Sequence, residues 1–238
     1  MKKTIGLFII LFLVTPPSRA WDKSVSLTQD QLAWGEAQIS RLLEDRPVMA
    51  PYVRKDDDLW KWTVRQFAGE GGDGLVVWNA RDPDPLWDAR FYGAWQGKKA
   101  YIQVTRNYYY KDYHRGQPKT APVLWYETLF ELLNLNTMPE VLELGNLAAK
   151  GKVDKEAYVK KRIIIEWETM KAAHNLFHDL WVPHCQRLGL PYEDSDMTSL
   201  YGRSIKVLSR NEVLQTFFDP KSFHYQYYEK QYDGIPKK

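Results

Sequence analysis

Hydrophobic positions recur at helical spacing through the second half of the chain. In the longest such segment, from Asp154 to Pro183, apolar residues placed about 100° apart fall into one stripe. Asp154 is a good N-cap and Pro183 has no N–H to donate, so the pattern predicts one long helix between them. Glu166 falls inside the stripe, and His174 and His178 lie along its edge. Because an unpaired buried carboxylate is costly, we expect Glu166 to be paired, protonated or bound to a cation.

Capping residues predict further helices on both sides of this segment. A Ser or Thr followed three residues later by Glu or Gln is a capping box, and both Thr28 with Gln31 and Thr137 with Glu140 fit that pattern. Acidic residues favour a helix start, and proline ends a helix. Together these signals predict helices over 29–45, 59–68, 120–134, 137–149 and 211–218.

Three short apolar runs in the first half predict strands instead. They lie at 75–79, 90–95 and 100–105, and turn-forming residues separate them. A glycine-rich segment, 69–74, matches the dinucleotide-binding pattern, but it follows a helix and precedes a strand, which reverses the order that such a site needs. The sequence therefore predicts a single α+β domain over 21–238. In it a small antiparallel or mixed sheet in the first half packs on a helix-rich second half.

The first twenty residues differ in composition from the rest. Lys2 and Lys3 precede an apolar run over 5–14, which is shorter than the roughly 20 residues that span a bilayer. Small residues follow at Ser18 and Ala20. This pattern predicts a signal peptide cleaved after Ala20, and hence a secreted or periplasmic protein with no stable membrane anchor after cleavage.

Composition and net charge limit the classes of partner that we expect the protein to bind. Residues 1–20 hold three basic residues and no acidic one, so the rest of the chain carries 30 of each, and net charge indicates no nucleic-acid partner. The one cysteine, Cys185, cannot form an internal disulfide. Ten Trp and fifteen Tyr residues make the chain aromatic-rich. They serve either as core and amphipathic rim or as a surface that stacks on sugars or peptides. The tyrosine-rich segment 106–122 resembles some nucleic-acid or glycan surfaces, but no module signature surrounds it and a solvated loop is favoured. For the aromatic tail 223–232, packing against the body and a binding strip both remain open.

Three of the five histidines lie close together in the sequence. His174 and His178 are one helical turn apart and can share a metal ion. His184 follows at the spacing of the third ligand in the metalloprotease motif H-E-x-x-H-x-x-G-x-x-H. Asn175 stands in place of the motif's general-base glutamate, and Trp181 in place of its glycine. Zinc binding by the three histidines is therefore an alternative prediction rather than the leading one.

The predicted helix over 120–134 carries a second candidate site. Glu127, Glu131 and Asn134 project from one face of it. Two carboxylates four residues apart repel each other, so such a pair is either exposed or shares a proton, a cation or a basic side chain such as Arg162. If Glu166 of the long helix faces the same surface, three carboxylates converge there.

The order of these elements resembles that of the zincin metallopeptidases. In that family an edge strand, an H-E-x-x-H helix and a downstream glutamate ligand follow one another. Here the strand at 100–105, the helix over 120–134 and Glu166 stand in the same order. The resemblance covers about 100–181.

On this resemblance Glu131 takes the general-base position and Glu166 the third-ligand position. Phe130 and Asn134 replace both metal-binding histidines. The resemblance implies a zincin-like scaffold that has lost its metal, since phenylalanine has no lone pair to offer. For Glu166 we then expect a structural partner, either Glu131 through a shared proton or a basic side chain.

These observations favour a non-enzymatic role, in which the protein binds a peptide, a glycan or an envelope protein in a cleft between sheet and helices. The alternative is a metal-dependent hydrolase that uses Glu131 as the base and binds zinc through Glu166, His174 and His178. A purely structural envelope protein is the third possibility. The candidate binding residues are Glu127, Asn134 and Glu166.

Overall fold

The computed structural model describes residues 26–71, 74–82, 88–94, 97–108, 115–192 and 209–236. The predicted signal peptide lies outside these residues, as does the centre of the tyrosine-rich segment 106–122. Across the described residues the fold is α+β, with a small three-stranded sheet and mostly helices, as the hydrophobic pattern predicted.

The first helix, α1 (Gln29–Asp45), begins at the predicted capping box. The Thr28 hydroxyl accepts a hydrogen bond from the backbone N–H of Gln31, and the Gln31 side chain accepts one from the backbone N–H of Thr28. A 3-10 helix, Pro47–Tyr52, follows α1 directly. The predicted bounds of α1 are confirmed because its capping signal is local.

The second helix, α2 (Asp58–Phe67), is also capped as expected. The Asp57 carboxylate accepts a hydrogen bond from the backbone N–H of Trp60 at 2.7 Å. α2 packs against α1 at Gly35, where an added Cβ would lie 2.2 Å from the backbone oxygen of Val64. The close approach of the two helices therefore requires glycine at that position.

The sheet is mixed and contains β1 (Val76–Trp78), β2 (Ala89–Tyr92) and β3 (Ala100–Val104) in the order β1-β3-β2. β1 pairs with β3 in parallel, and β2 pairs with β3 in antiparallel orientation. The strand that the zincin resemblance treats as an edge strand is β3, and this assignment is wrong because β3 is central. β3 has a hydrogen-bonded strand on each side, and it is the most buried of the three strands.

The next helix, α3 (Ala121–Leu135), packs against the sheet, the 3-10 helix and the longest helix of the fold. It is buried on nearly every side. Trp125 is fully buried, and its indole N–H donates to the carbonyl oxygen of Met49 at 3.0 Å. This contact joins α3 to the 3-10 helix.

A second predicted capping box, Thr137 with Glu140, is not formed at the start of α4 (Met138–Ala149). The Thr137 hydroxyl instead donates to the carbonyl oxygen of Asn134 at 2.8 Å, and its backbone N–H donates to the same oxygen. Because the hydroxyl is bound to the end of α3, it does not cap α4.

The predicted long helix is longer than expected. α5 (Lys155–Leu176) starts at the Asp154 cap, continues as a π-helix, Phe177–Trp181, and then as α6 (Val182–Leu188). No helix among the described residues is long and apolar enough to cross a membrane.

Pro183 does not end this helix, so that prediction is wrong. The π-helix changes the hydrogen-bonding register, and the backbone N–H of Val182 donates to the oxygen of Phe177, five residues earlier. Pro183 then falls in the first turn of α6, where a helix tolerates proline because that N–H needs no helical partner. Gly189, with φ of 65°, ends the helix.

The C-terminal segment forms two helices, α7 (Arg210–Phe217) and α8 (Phe223–Asp233). The Ser209 hydroxyl caps α7 in a capping box with Glu212. Both helices pack against α5. The aromatic tail, for which packing and a binding strip both remained open, therefore packs on the body of the protein, and Tyr228 is buried there.

The core is divided among three apolar clusters, and α5 takes part in all of them. The largest lies between α1, α2, the sheet, α3 and the C-terminal end of α5. A second joins α5 to α4, and a third joins α5 to α7 and α8. Most of the predicted stripe is buried, at Val159, Ile163, Ala173, Phe177 and Trp181, but neighbours also cover α5 on its other sides.

Candidate functional site

A buried lysine connects the sheet to α3. The Nζ of Lys119 donates to Glu127 Oε2 at 2.7 Å, to Thr105 Oγ1 at 2.7 Å and to the backbone oxygen of Asp88 at 2.9 Å. The Lys119 side chain has no exposed surface, and that of Glu127 is 10% exposed. A buried ion pair is stable only when further hydrogen bonds satisfy both groups, and the three acceptors match the three N–H bonds of the ammonium group. Glu127 is thus half of a buried ion pair.

Glu131, one turn further along α3, is a buried carboxyl without an ion-pair partner of this kind. The Asn134 amide donates to its Oε2 at 3.2 Å. Burial raises the pKa of Glu131 to about 8, opposed by the bond from Asn134 and reinforced by the carboxylates of Glu127 and Glu166. Its side chain therefore carries a proton at neutral pH. A carboxyl with this pKa exchanges protons near physiological pH, which suits acid or base chemistry wherever a substrate can reach it.

Glu166 has a structural partner, as expected, but the partner is not Glu131. The Tyr228 hydroxyl donates to Glu166 Oε2 at 2.5 Å, and His224 Nε2 lies 3.5 Å from its Oε1. Burial favours the protonated carboxyl, but His224, the bond from Tyr228 and the charge of Arg162 outweigh it, so the pKa of Glu166 lies below its ordinary value. Burial and the Glu166 carboxylate raise the pKa of Tyr228 well above its ordinary value, so the phenol remains a donor.

The three carboxyl groups interact through their charges. Both Glu127 and Glu166 raise the pKa of Glu131 through their charges, so the three interact across the contact between α3 and α5. Each carboxyl group nevertheless accepts a hydrogen bond from a different residue, namely Lys119 for Glu127, Asn134 for Glu131 and Tyr228 for Glu166. Within the described residues no three or more His, Cys, Asp or Glu side chains are placed to hold a metal ion together. Polar contacts therefore join α3 to the sheet through Lys119, and α5 to α8 through Tyr228 and His224.

The structure brings together two of the three candidate histidines. The rings of His174 and His178 lie 4.4 Å apart between centroids, at 64°. His184 is buried in α6, where its Nε2 lies 2.7 Å from the carbonyl oxygen of Tyr52 and 3.6 Å from Asp57 Oδ2. His184 therefore supports the 3-10 helix, and zinc binding by all three histidines stays a prediction.

A shallow apolar recess lies between α3 and the C-terminal end of α5. The space free of atoms is about 260 Å³, including solvent at the mouth. The rings of Tyr126 and Phe130 stack on its α3 side, with centroids 6.1 Å apart. Because the lining offers almost no polar atoms and most of it is buried, the recess suits a small apolar group. Its lining residues are Tyr126, Leu129, Phe130, Leu133, Ala173, Leu176, Phe177 and Trp181.

Sequence reasoning missed the partners of two acidic residues. Lys119 precedes α3 and lies eight residues before Glu127, a spacing that no helical or strand period brings together. Tyr228 and His224 come from a segment whose aromatic residues follow no clear period, and Tyr228 lies 62 residues after Glu166. The available signal was only indirect, namely that a buried carboxylate requires a donor.

Comparison of the chain with protein-family models, with curated proteins and with solved structures gave no match.

Proposed function

We propose that the protein is a non-catalytic binding protein, secreted or periplasmic, that takes an apolar side chain of a peptide or envelope protein into the recess between α3 and α5. The observation that carries this proposal is the lining, in which aromatic and aliphatic side chains from two helices surround a gap open to solvent. Recesses of this kind accept anchor residues of a partner, because burying apolar surface is favourable and non-directional.

A peptide or protein suits this recess better than a glycan. A sugar ring presents hydroxyl groups that need hydrogen-bond partners once they leave water, and the lining supplies almost none. Small aliphatic side chains, such as those of alanine and valine, have no such requirement. The partner class is therefore a polypeptide with an exposed apolar anchor.

The scaffold in this proposal is a zincin-like one that has lost its metal. Its support is the interaction between Glu131 on α3 and Glu166 on α5, the two positions that the resemblance assigns to the general base and the third ligand. In a non-catalytic protein Glu127 holds α3 to the sheet through Lys119, Asn134 donates to Glu131 within α3, and Glu166 holds α5 to α8. Export rests on the signal-peptide pattern of residues 1–20.

Selection from a random peptide library, followed by affinity measurement on the enriched peptides, tests this function. We expect enriched peptides to share one small aliphatic position. Phe130 lines the recess and is only partly buried. Phe130→Ala should weaken binding by about fivefold or more, since losing a contacting aromatic anchor typically costs more than about 1 kcal/mol.

Phe223→Ala provides the matched control. Phe223 is 59% exposed on α8 and does not line the recess, so its replacement removes an equal aromatic surface elsewhere. Peptide affinity should be unchanged in this variant. Enriched peptides that lack an apolar anchor, or that bind Phe130→Ala as well as the wild type, would contradict the proposal. Binding of oligosaccharides in place of peptides would show that the ligand class is wrong.

A further inference from the structure

Two imidazole rings meet on the partly exposed side of α5. His174 and His178 are four residues apart on continuous helical backbone, and their ring centroids lie 4.4 Å apart at an angle of 64°. His174 is half-buried and His178 is exposed. Two histidines at this spacing direct their rings to the same side of a helix, where both reach one metal ion.

The hydrogen bonding of His174 is incomplete. Its Nδ1 is buried and has no hydrogen-bond partner among the residues that the structure describes. A buried polar atom without a partner costs about 1–3 kcal/mol, so native structures rarely keep one unless a ligand or ion satisfies it. A neutral imidazole has a lone pair to donate to a metal ion.

We propose that His174 and His178 form a two-histidine binding site for a divalent transition metal, with Cu²⁺ as the preferred ion. Imidazole nitrogen suits Cu²⁺, Ni²⁺ and Zn²⁺, and affinity for a given set of nitrogen ligands is highest for Cu²⁺. Water completes the coordination, because the described residues bring no third His, Cys, Asp or Glu into a ligand group here. Asp179, which interacts electrostatically with His174, adds negative charge beside the site.

This site is independent of peptide binding in the recess, because neither imidazole lines the recess. The closest connection is Phe177, which lines the recess and packs edge-on against His178 with centroids 5.3 Å apart. The alternative is that the two rings serve only to pack on each other and on Phe177. Metal binding distinguishes these roles, since packing alone gives no coordination by two nitrogens.

Electron paramagnetic resonance of the purified protein with one equivalent of Cu²⁺ at pH 7.4 tests the site. Echo modulation from the remote imidazole nitrogens counts the coordinated rings, and we expect two. His174→Ala and His178→Ala should each reduce the count to one and weaken Cu²⁺ binding by at least about tenfold in a chelator competition. Alanine is the best helix former, so both variants should keep their far-ultraviolet circular dichroism.

Two controls separate this pair from the other histidines and from the helix surface. Asn175→Ala changes an exposed residue that lies between the two histidines in the sequence, and it should leave the copper signal unchanged. His224→Gln removes an imidazole from α8 and should still show two coordinated rings. The proposal is overturned if the wild type binds no Cu²⁺, if it shows a single coordinated ring, or if His174→Ala binds as the wild type does.

Discussion

Replacing Lys119 by methionine removes the one cation in a buried set of acceptors. In the wild type its ammonium group donates to Glu127, Thr105 and the backbone of Asp88, and it lies 3.4 Å from the Asp88 carboxylate. Methionine has similar length and no charge. The variant therefore leaves two carboxylates, 10% and 14% exposed, facing each other across the junction of the sheet and α3.

The expected loss follows from this geometry. Breaking a buried ion pair by removing one partner costs about 3–5 kcal/mol, because an uncompensated charge stays buried. At about 2–4 °C per kcal/mol for a chain of this size, the Lys119→Met variant should melt roughly 6–20 °C below the wild type. The double variant Lys119→Met/Glu127→Leu should be more stable than Lys119→Met alone, because it no longer buries the Glu127 charge.

Urea unfolding followed by tryptophan fluorescence measures these differences, and unchanged m-values would show that the unfolded state is comparable. Lys155→Met is a matched control, since Lys155 makes an ion pair with Asp233 at 2.9 Å on the surface. Exposed ion pairs contribute little to stability, so we expect no resolvable change in the free energy of unfolding of Lys155→Met. A loss below about 1 kcal/mol in Lys119→Met would refute the argument that this ion pair holds the sheet to α3.

Three further predictions concern residues of α3, α8 and α6. Because the pKa of Glu131 is about 8 in the folded protein and 4.5 ordinarily, the folded state retains a proton that the unfolded chain releases. The free energy of unfolding should therefore fall between about pH 4.5 and pH 8, by at most about 5 kcal/mol, and Glu131→Gln should remove this fall in urea titrations at both pH values. Tyr228→Phe takes the donor from the Glu166 carboxylate and should cost about 1.5–3 kcal/mol in thermal unfolding, whereas a neutral effect would mean that water replaces the phenol. Pro183→Ala should change stability by less than about 1 kcal/mol. A gain of about 3 kcal/mol would instead show that proline strains this helix.

The starts of the helices were predictable because capping joins residues close in sequence. The side chains of Thr28 and Asp154 each accept a hydrogen bond from a backbone N–H three residues later, as their patterns predicted, and those of Asp57 and Ser209 do the same. Thr137 carries the same pattern and fails, because its hydroxyl is bound to the end of α3. A local signal thus holds until a neighbouring element offers the same side chain a better partner.

The candidate site was predictable only in part. Helical spacing correctly placed Glu127, Glu131 and Asn134 on one face of α3, and the approach of Glu166 follows from the packing of α5 on α3. Spacing also placed His174 beside His178. It did not identify the donors that hold the carboxylates, because those donors come from other elements.

By itself the sequence determined the local elements and the α+β class, because periodicity and caps act over a few residues. Tertiary structure decided that β3 is central, that α5 continues through a π-helix past Pro183, and that Glu166 binds Tyr228. Periodicity indicates that a position is buried without identifying what covers it. The covering residue is chosen by contacts between distant segments, whose favourable energy must exceed the entropy lost in bringing them together.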